Sequence, residues 1–307
     1  MKITLPLPAT LTTMFVVAIE HLAFDLEGVL PWRIGRPHRK AALRALGTPG
    51  LTLSCVPTAW RPRGIDLTDA DRRLLRRTRR HVLVSSTAPP HALPETVQVA
   101  RAAARVIAEE CSGVVVDPLT ARVLPGESGE PSAFRPADDW LGWRVDVHDL
   151  ATCPPWNPAE TRACGCLRVT SRGLRRFALP EVTLDGAACA HSLCAIDLLR
   201  AVAQRLLIDH LAFLGAHPEA SQRTIDAHLL VHDHEPPVNA WPYDHAFGVS
   251  LTPCDDRAPR RLKVGPEPGS GQVRCLRVGP PPGFTGTMND WLCSTQAVPV
   301  TNRLLAA

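Results

Sequence analysis

Apolar positions along this chain switch between helical and strand periods several times. Over residues 94–111 they recur at steps of three and four, with Val99, Ala103, Val106 and Ile107 on one stripe, which predicts a helix ended by Gly113. The same period returns over residues 192–214, with Asp197, Arg200, Arg205 and Asp209 on the polar side and Gly215 and Pro218 as the stop. Over residues 67–80, Leu67, Ala70, Leu74 and Leu75 share a face while six arginines fill the rest, and Thr68 with Asp71 three residues on has the spacing of a helix cap. A shorter helix is expected near residues 36–45.

Strands are read where the period shortens. Residues 15–24, the runs "LTLSCV" and "HVLVSS", and "VVVDPLTARVL", two strands around an Asp117-Pro118 turn, belong to the first half. "LTLSCV" is expected to be a buried strand, and residues 25–35 a turn-rich stretch. Strand, helix and strand in this order suggest a βαβ or split βαβ unit. The Gly, Pro and Ser-rich stretch over residues 125–136 marks a boundary. After it come "WLGWRVDVHDL", "CLRVT", a short turn or helix at "SRGLRRF", "EVTL", and further strands at "TIDAHLLVHDH", "AFGVSLT", "RRLKV" and "QVRCLRV", with a short helix at "TMNDWLCS". The expected fold is α+β, in two lobes of mixed or antiparallel strands, each packed against a long amphipathic helix. The first lobe covers residues 1–130 and the second 131–307, with its helix at 192–214.

Composition narrows the class. A chain of 307 residues with 45% hydrophobic content can bury a large core. No run is long and uncharged enough for a membrane helix, and prolines break the N-terminal apolar stretch before Glu20 and His21 close it. We therefore expect no signal peptide and a cytoplasmic location, where ten cysteines are mostly reduced and a disulfide framework is not expected.

The net charge is only +4, but its distribution is uneven. Residues 32–80 hold thirteen Arg and Lys against three acids, and residues 109–149 nine acids against three arginines. An arginine-rich surface that includes Arg72, Arg76 and Arg80, together with Arg175 and Arg176, suits an acidic protein partner or an anionic ligand. Nucleic acid is not expected, because aromatics make up only 5% and no helix-turn-helix, zinc-finger or RNA-recognition signature is present.

Cysteine is the other candidate chemistry. Cys153, Cys164 and Cys166 lead into a strand, and Cys189 and Cys194 flank His191 around the start of the long helix. Cys164, Cys166, Cys189, His191 and Cys194 supply the ligand types of a zinc site, although Cys-x-Cys is tighter than the usual pair spacing. Because cysteine is among the residues most often buried for packing alone, the expectation is separate burial, with zinc as the alternative. No Cys-x-x-Cys pair supports redox chemistry. His232, His234 and His245 read as polar strand ends. Asp117 is a turn former, and Asp138 and Asp139 a solvated pair. Phosphate loops, dinucleotide fingerprints and nucleophile elbows are missing from the sequence.

The segments "SGVVVDPLTARVL", "DDWLGW" and "TSRGLRRFALPEV" together resemble actinobacterial proteins of unknown function. The resemblance spans most of the chain and implies an α+β fold, with no activity or catalytic residue attached. The sequence therefore points to a non-catalytic binding or interaction protein without a cofactor, the alternative being a zinc-stabilised domain or metal-dependent enzyme built on the cysteines.

Overall fold

The computed structural model describes residues 1–22, 25–62, 64–65, 67–125, 129–136, 140–148, 153, 164–232, 246–254 and 273–295. In chain order the elements are β1 (Lys2–Pro6), β2 (Leu11–Ile19), α1 (Leu26–Arg33), α2 (Arg36–Ala45), β3 (Thr52–Val56), α3 (Asp69–Arg77), β4 (Arg80–Ala88), α4 (Glu95–Glu110), β5 (Val114–Asp117) and β6 (Arg122–Leu124). They continue with β7 (Gly142–Val147), β8 (Leu167–Arg172), β9 (Glu181–Ala187), α5 (Ser192–Ala216), β10 (Gln222–Asp226), β11 (His228–His232), β12 (Ala246–Pro253), β13 (Cys275–Gly279) and α6 (Met288–Thr295).

The fold is α+β. One sheet has the order β3-β4-β2-β5-β6 and every pairing in it is antiparallel. Because β4 and β5 both run against β2, they are parallel to each other with β2 between them, and α4 connects them across one face. This is the split βαβ unit that the order of elements predicts. The second sheet has the order β11-β12-β13-β9-β8-β7, antiparallel except where β13 lies parallel to β9, and α5 packs on it. The first strand does not stay with its neighbours in sequence: β1 pairs with β10, Lys2 opposite Asp226.

Two sequence expectations need correction. Residues 26–33 are a helix, started by Asp25, whose carboxylate accepts the Glu27 N–H at 3.3 Å, although Pro31 sits inside it. The run "LTLSCV" forms an edge strand rather than a buried one: Leu51 is fully buried, but β3 leaves Cys55 exposed. The cap of α3 is as read. Thr68 Oγ1 accepts the Asp71 N–H at 3.1 Å and the Thr68 N–H donates to Asp71 Oδ2 at 3.0 Å.

Helix α4 is buried on more than its sheet-facing stripe, because α1 and α2 cover its other side. That double burial is why Arg101 and Arg105 lie inside. Both reach the buried Glu130, Arg101 with two hydrogen bonds of 2.7 and 2.8 Å and Arg105 at 3.6 Å. Arg101 also lies over the Trp140 ring, 3.3 Å from its centroid. Trp140, Phe134 and Phe177 pack edge to face or tilted, at 5.4 to 6.0 Å between centroids. One continuous cluster of buried apolar side chains runs from this seam into both sheets.

The seam also contains the ion pair of Arg176 and Asp117. Arg176 Nη2 donates to both carboxylate oxygens of Asp117, at 2.7 and 2.5 Å, and both side chains are 0% exposed. Asp117 ends β5, and Arg176 stands in the single 3-10 turn Leu174–Phe177 that follows β8, so the pair joins the two sheets. The turn starts at Gly173, with φ +112°, where an added Cβ would run into the Trp140 carbonyl. Asp117 also accepts the Leu119 N–H at 3.0 Å, which confirms its reading as a turn former.

His210 on α5 is fully buried, and burial followed by the nearby Arg223 guanidinium lowers its pKa to about 4, with the Phe177 backbone carbonyl partly offsetting. The folded value lies below the ordinary 6.5. Above pH 6.5 both states are therefore neutral at this position, and as pH falls toward 4 the unfolded chain takes up a proton that the native state refuses. Stability drops over that window by up to ~1.4 kcal/mol per pH unit. In urea unfolding at pH 7 and pH 5, the native chain is expected to lose about 2 kcal/mol more than a His210→Gln variant. Equal losses would show that His210 does not carry the effect.

Candidate metal centre

Four cysteines converge at one end of the second sheet. The sulfurs of Cys153, Cys164, Cys166 and Cys189 all lie within 4.8 Å of one another. The Cys164–Cys166 separation is 3.6 Å, Cys164–Cys189 3.9 Å and Cys153–Cys166 2.9 Å. Four thiolates around one zinc at about 2.3 Å stand ~3.8 Å apart at the corners of the tetrahedron. Two of the three edges match that spacing within a few tenths of an ångström, and the Cys153–Cys166 edge would open by about 1 Å. The expectation of separate burial is therefore overturned.

Local structure explains the convergence. Cys164 and Cys166 immediately precede β8, and their alternate positions turn both sulfurs the same way. On the adjacent strand β9 the register slips by one residue, Leu167 opposite Ala187 but Arg168 opposite Asp185. The extra residue is Gly186, at φ +87°, and the bulge swings the chain out of the sheet toward Cys189. Gly165 fits against this bulge: a Cβ there would lie 3.2 Å from the Gly186 carbonyl oxygen. Cys189 then begins the 3-10 turn Cys189–His191 that leads into α5.

Asn289 of α6 holds the two arms together from behind. Its side-chain oxygen accepts the Ala188 N–H at 2.7 Å and its Nδ2 donates to the Cys164 carbonyl at 3.2 Å, in a position only 3% exposed. The end of β7 adds another tie, His148 N–H to the Cys166 carbonyl at 2.8 Å. Cys166 is buried, Cys153 and Cys164 are half-buried, and Cys189 is on the solvent side.

Cys153, Cys164 and Cys189 differ in acidity. The Cys153 thiol is pushed up to about 12, first by the hydrogen bond it donates to Cys166 and then by burial. Cys164 goes the other way. Burial opposes its ionisation, but the Cys189 N–H and the thiols of Cys166, Cys189 and Cys153 direct enough hydrogen bonds at its sulfur to hold it below the ordinary range. Burial raises Cys189.

Of the residues predicted for a zinc site, Cys164, Cys166 and Cys189 are brought together, and Cys153 completes the group. His191 and Cys194 are outside it. His191 closes the 3-10 turn as the residue before α5, and Cys194 lies in the first turn of the helix, its thiol pushed up by burial and then by the charge of Asp197. Cys153 was visible in the same stretch as Cys164 and Cys166, but ten intervening residues gave no reason to expect the chain to return.

The arginine set also changes. Arg72, Arg76, Arg80 and Arg175 are exposed, with Arg72 3.1 Å from Asp69 and Arg175 4.0 Å from Glu181. Arg176 is not part of any surface, because Asp117 draws it into the core. Asp138, Asp139, His234 and His245 lie outside the described residues, as does the run "RRLKV". For His232 only the backbone, in β11, is described.

The remaining cysteines do not all stay free. Cys254, just after β12, and Cys275, the first residue of β13, form a disulfide with Cα atoms 5.5 Å apart, the only one among the described residues. This pair is the exception to the expectation that the ten cysteines are mostly reduced, since the other eight are free. No helix among the described residues is long and apolar enough to cross a membrane. Comparison of the chain with family models, with curated proteins and with solved structures returned no match.

Proposed function

We propose that this protein holds one zinc ion through Cys153, Cys164, Cys166 and Cys189, and that the ion has a structural role. The observation that carries the reading is the mutual approach of four sulfurs within 4.8 Å, from segments up to 36 residues apart in sequence, behind which Asn289 braces both arms. Thiolate ligands select zinc, copper(I) or iron among biological metals, and four of them around zinc leave no position for water or substrate. The site therefore supports a fixed junction rather than a hydrolytic centre. It would fasten the segment at Cys153 to the start of β8 and to the turn before α5, where the edge of the second sheet meets its long helix.

Purified protein is expected to contain about one zinc per chain, and the cobalt-substituted protein to show the visible absorption of a tetrahedral thiolate site. Metal-to-protein stoichiometry by elemental analysis checks the first statement. A content near zero after purification without chelator, or iron in place of zinc, would overturn the reading. Binding of an acidic partner at Arg72, Arg76, Arg80 and Arg175 remains compatible with this role, since none of these arginines is near a zinc ligand in sequence.

A further inference from the structure

A second feature lies away from the cysteines. Between β6, β7, the start of α3 and the side of α5 is a cavity of about 550 Å³. That volume is in the range of sites for small organic ligands and well beyond what a bare anion fills. Its charged lining is one-sided: Arg122, Arg144, Arg172 and Arg200 against one acid, Asp71. Asp71 is already committed, since its Oδ2 accepts from the Thr68 N–H and from Thr68 Oγ1 at 3.0 and 2.7 Å.

The arginines are not equivalent. Arg144 is paired with Asp146 at 2.7 Å and Arg200 with Asp197 at 2.7 Å. Arg172, half-buried at the end of β8, has neither an acid nor a hydrogen-bond acceptor on its guanidinium among the described residues. A guanidinium without an anion keeps its planar fork free for the oxygens of a phosphate. Thr120 lines the same cavity, is 2% exposed, and its hydroxyl finds no partner among the described residues. The half-buried Trp143 and the exposed Val145 of the edge strand supply an apolar wall.

We propose that this cavity binds a small phosphorylated molecule carrying a flat ring, a mononucleotide in size and character, with Arg172 as the anchor of the phosphate and Trp143 against the ring. The walls come from both sheets, from α3 and from α5, so the ligand would sit where the two halves of the fold meet. The arginine-rich character of the sequence thus acquires a concave site, distinct from the convex face of α3.

The test is titration calorimetry of the zinc-loaded full chain with AMP, adenosine and inorganic phosphate. AMP is expected to bind with a dissociation constant below ~1 mM and to weaken as salt is raised, with adenosine and phosphate each at least about tenfold weaker. Arg172→Gln should weaken AMP about tenfold or more while leaving the melting temperature within a few degrees. If that variant fails to fold, Trp143→Phe and Arg122→Gln take its place, each expected to weaken AMP binding. No heat with AMP up to about 5 mM, adenosine binding as tightly as AMP, phosphate binding as tightly as AMP, or unchanged affinity in the variants would each overturn the proposal.

Discussion

Replacing Asp117 by alanine is expected to destabilise the protein by about 3–5 kcal/mol, among the largest effects of any single substitution. The loss does not measure the strength of one salt bridge. It arises because Arg176, at 0% exposure, is left in the core with its charge uncompensated, facing Phe15 at 5.3 Å and Trp140 at 5.6 Å. The Leu119 N–H loses its acceptor at the same time. A double variant, Asp117→Leu with Arg176→Met, is expected to recover most of the loss, since two apolar side chains of similar volume need no partner. Urea unfolding of the three proteins distinguishes these cases. A penalty for Asp117→Ala below about 1 kcal/mol would place the pair at a solvated surface and contradict its burial.

The second large effect concerns the metal. If the four cysteines hold zinc as proposed, stripping it with a chelator is expected to lower the melting temperature by roughly 10 °C or more, because the binding energy of a structural site is carried into folding. Cysteine variants then separate the ligand set proposed from the geometry from the one that spacing suggested. Cys153→Ser should lose zinc and stability with it, whereas Cys194→Ser should keep about one zinc per chain and melt within a few degrees of the native protein. Asn289→Ala, which removes the brace on both arms but no ligand, should weaken zinc about tenfold and leave the stoichiometry at one. If Cys194→Ser released the metal and Cys153→Ser held it, the geometry of the centre would be wrong.

Much of the fold is legible in the chain because it rests on local rules. The stripes of α4 and α5, the capping box of Thr68 and Asp71, and the turn at Asp117-Pro118 each depend on residues within a few positions of one another. The split βαβ unit follows from the order of such elements. Burial was harder to foresee. Arg176 reads as one more arginine in a basic segment, and only the placement of Asp117, 59 residues earlier, makes it a core residue.

The cysteines divide along the same line. The sequence by itself determined that thiols gather before β8 and before α5, that the ligand types suit zinc, and that no redox pair is spaced for exchange. Only the tertiary structure decided which thiols meet. The bulge at Gly186 carries Cys189 around to Cys164 and Cys166, Cys153 lies beside them, and α6 supplies Asn289 from a hundred residues away. Spacing along a chain constrains ligands on one turn or one strand, but a site assembled from three segments is set by register and packing, which no short motif encodes. The same holds for the arginine-lined cavity: its arginines stand on β6, β7, β8 and α5, and their shared wall exists only once the two sheets have packed together.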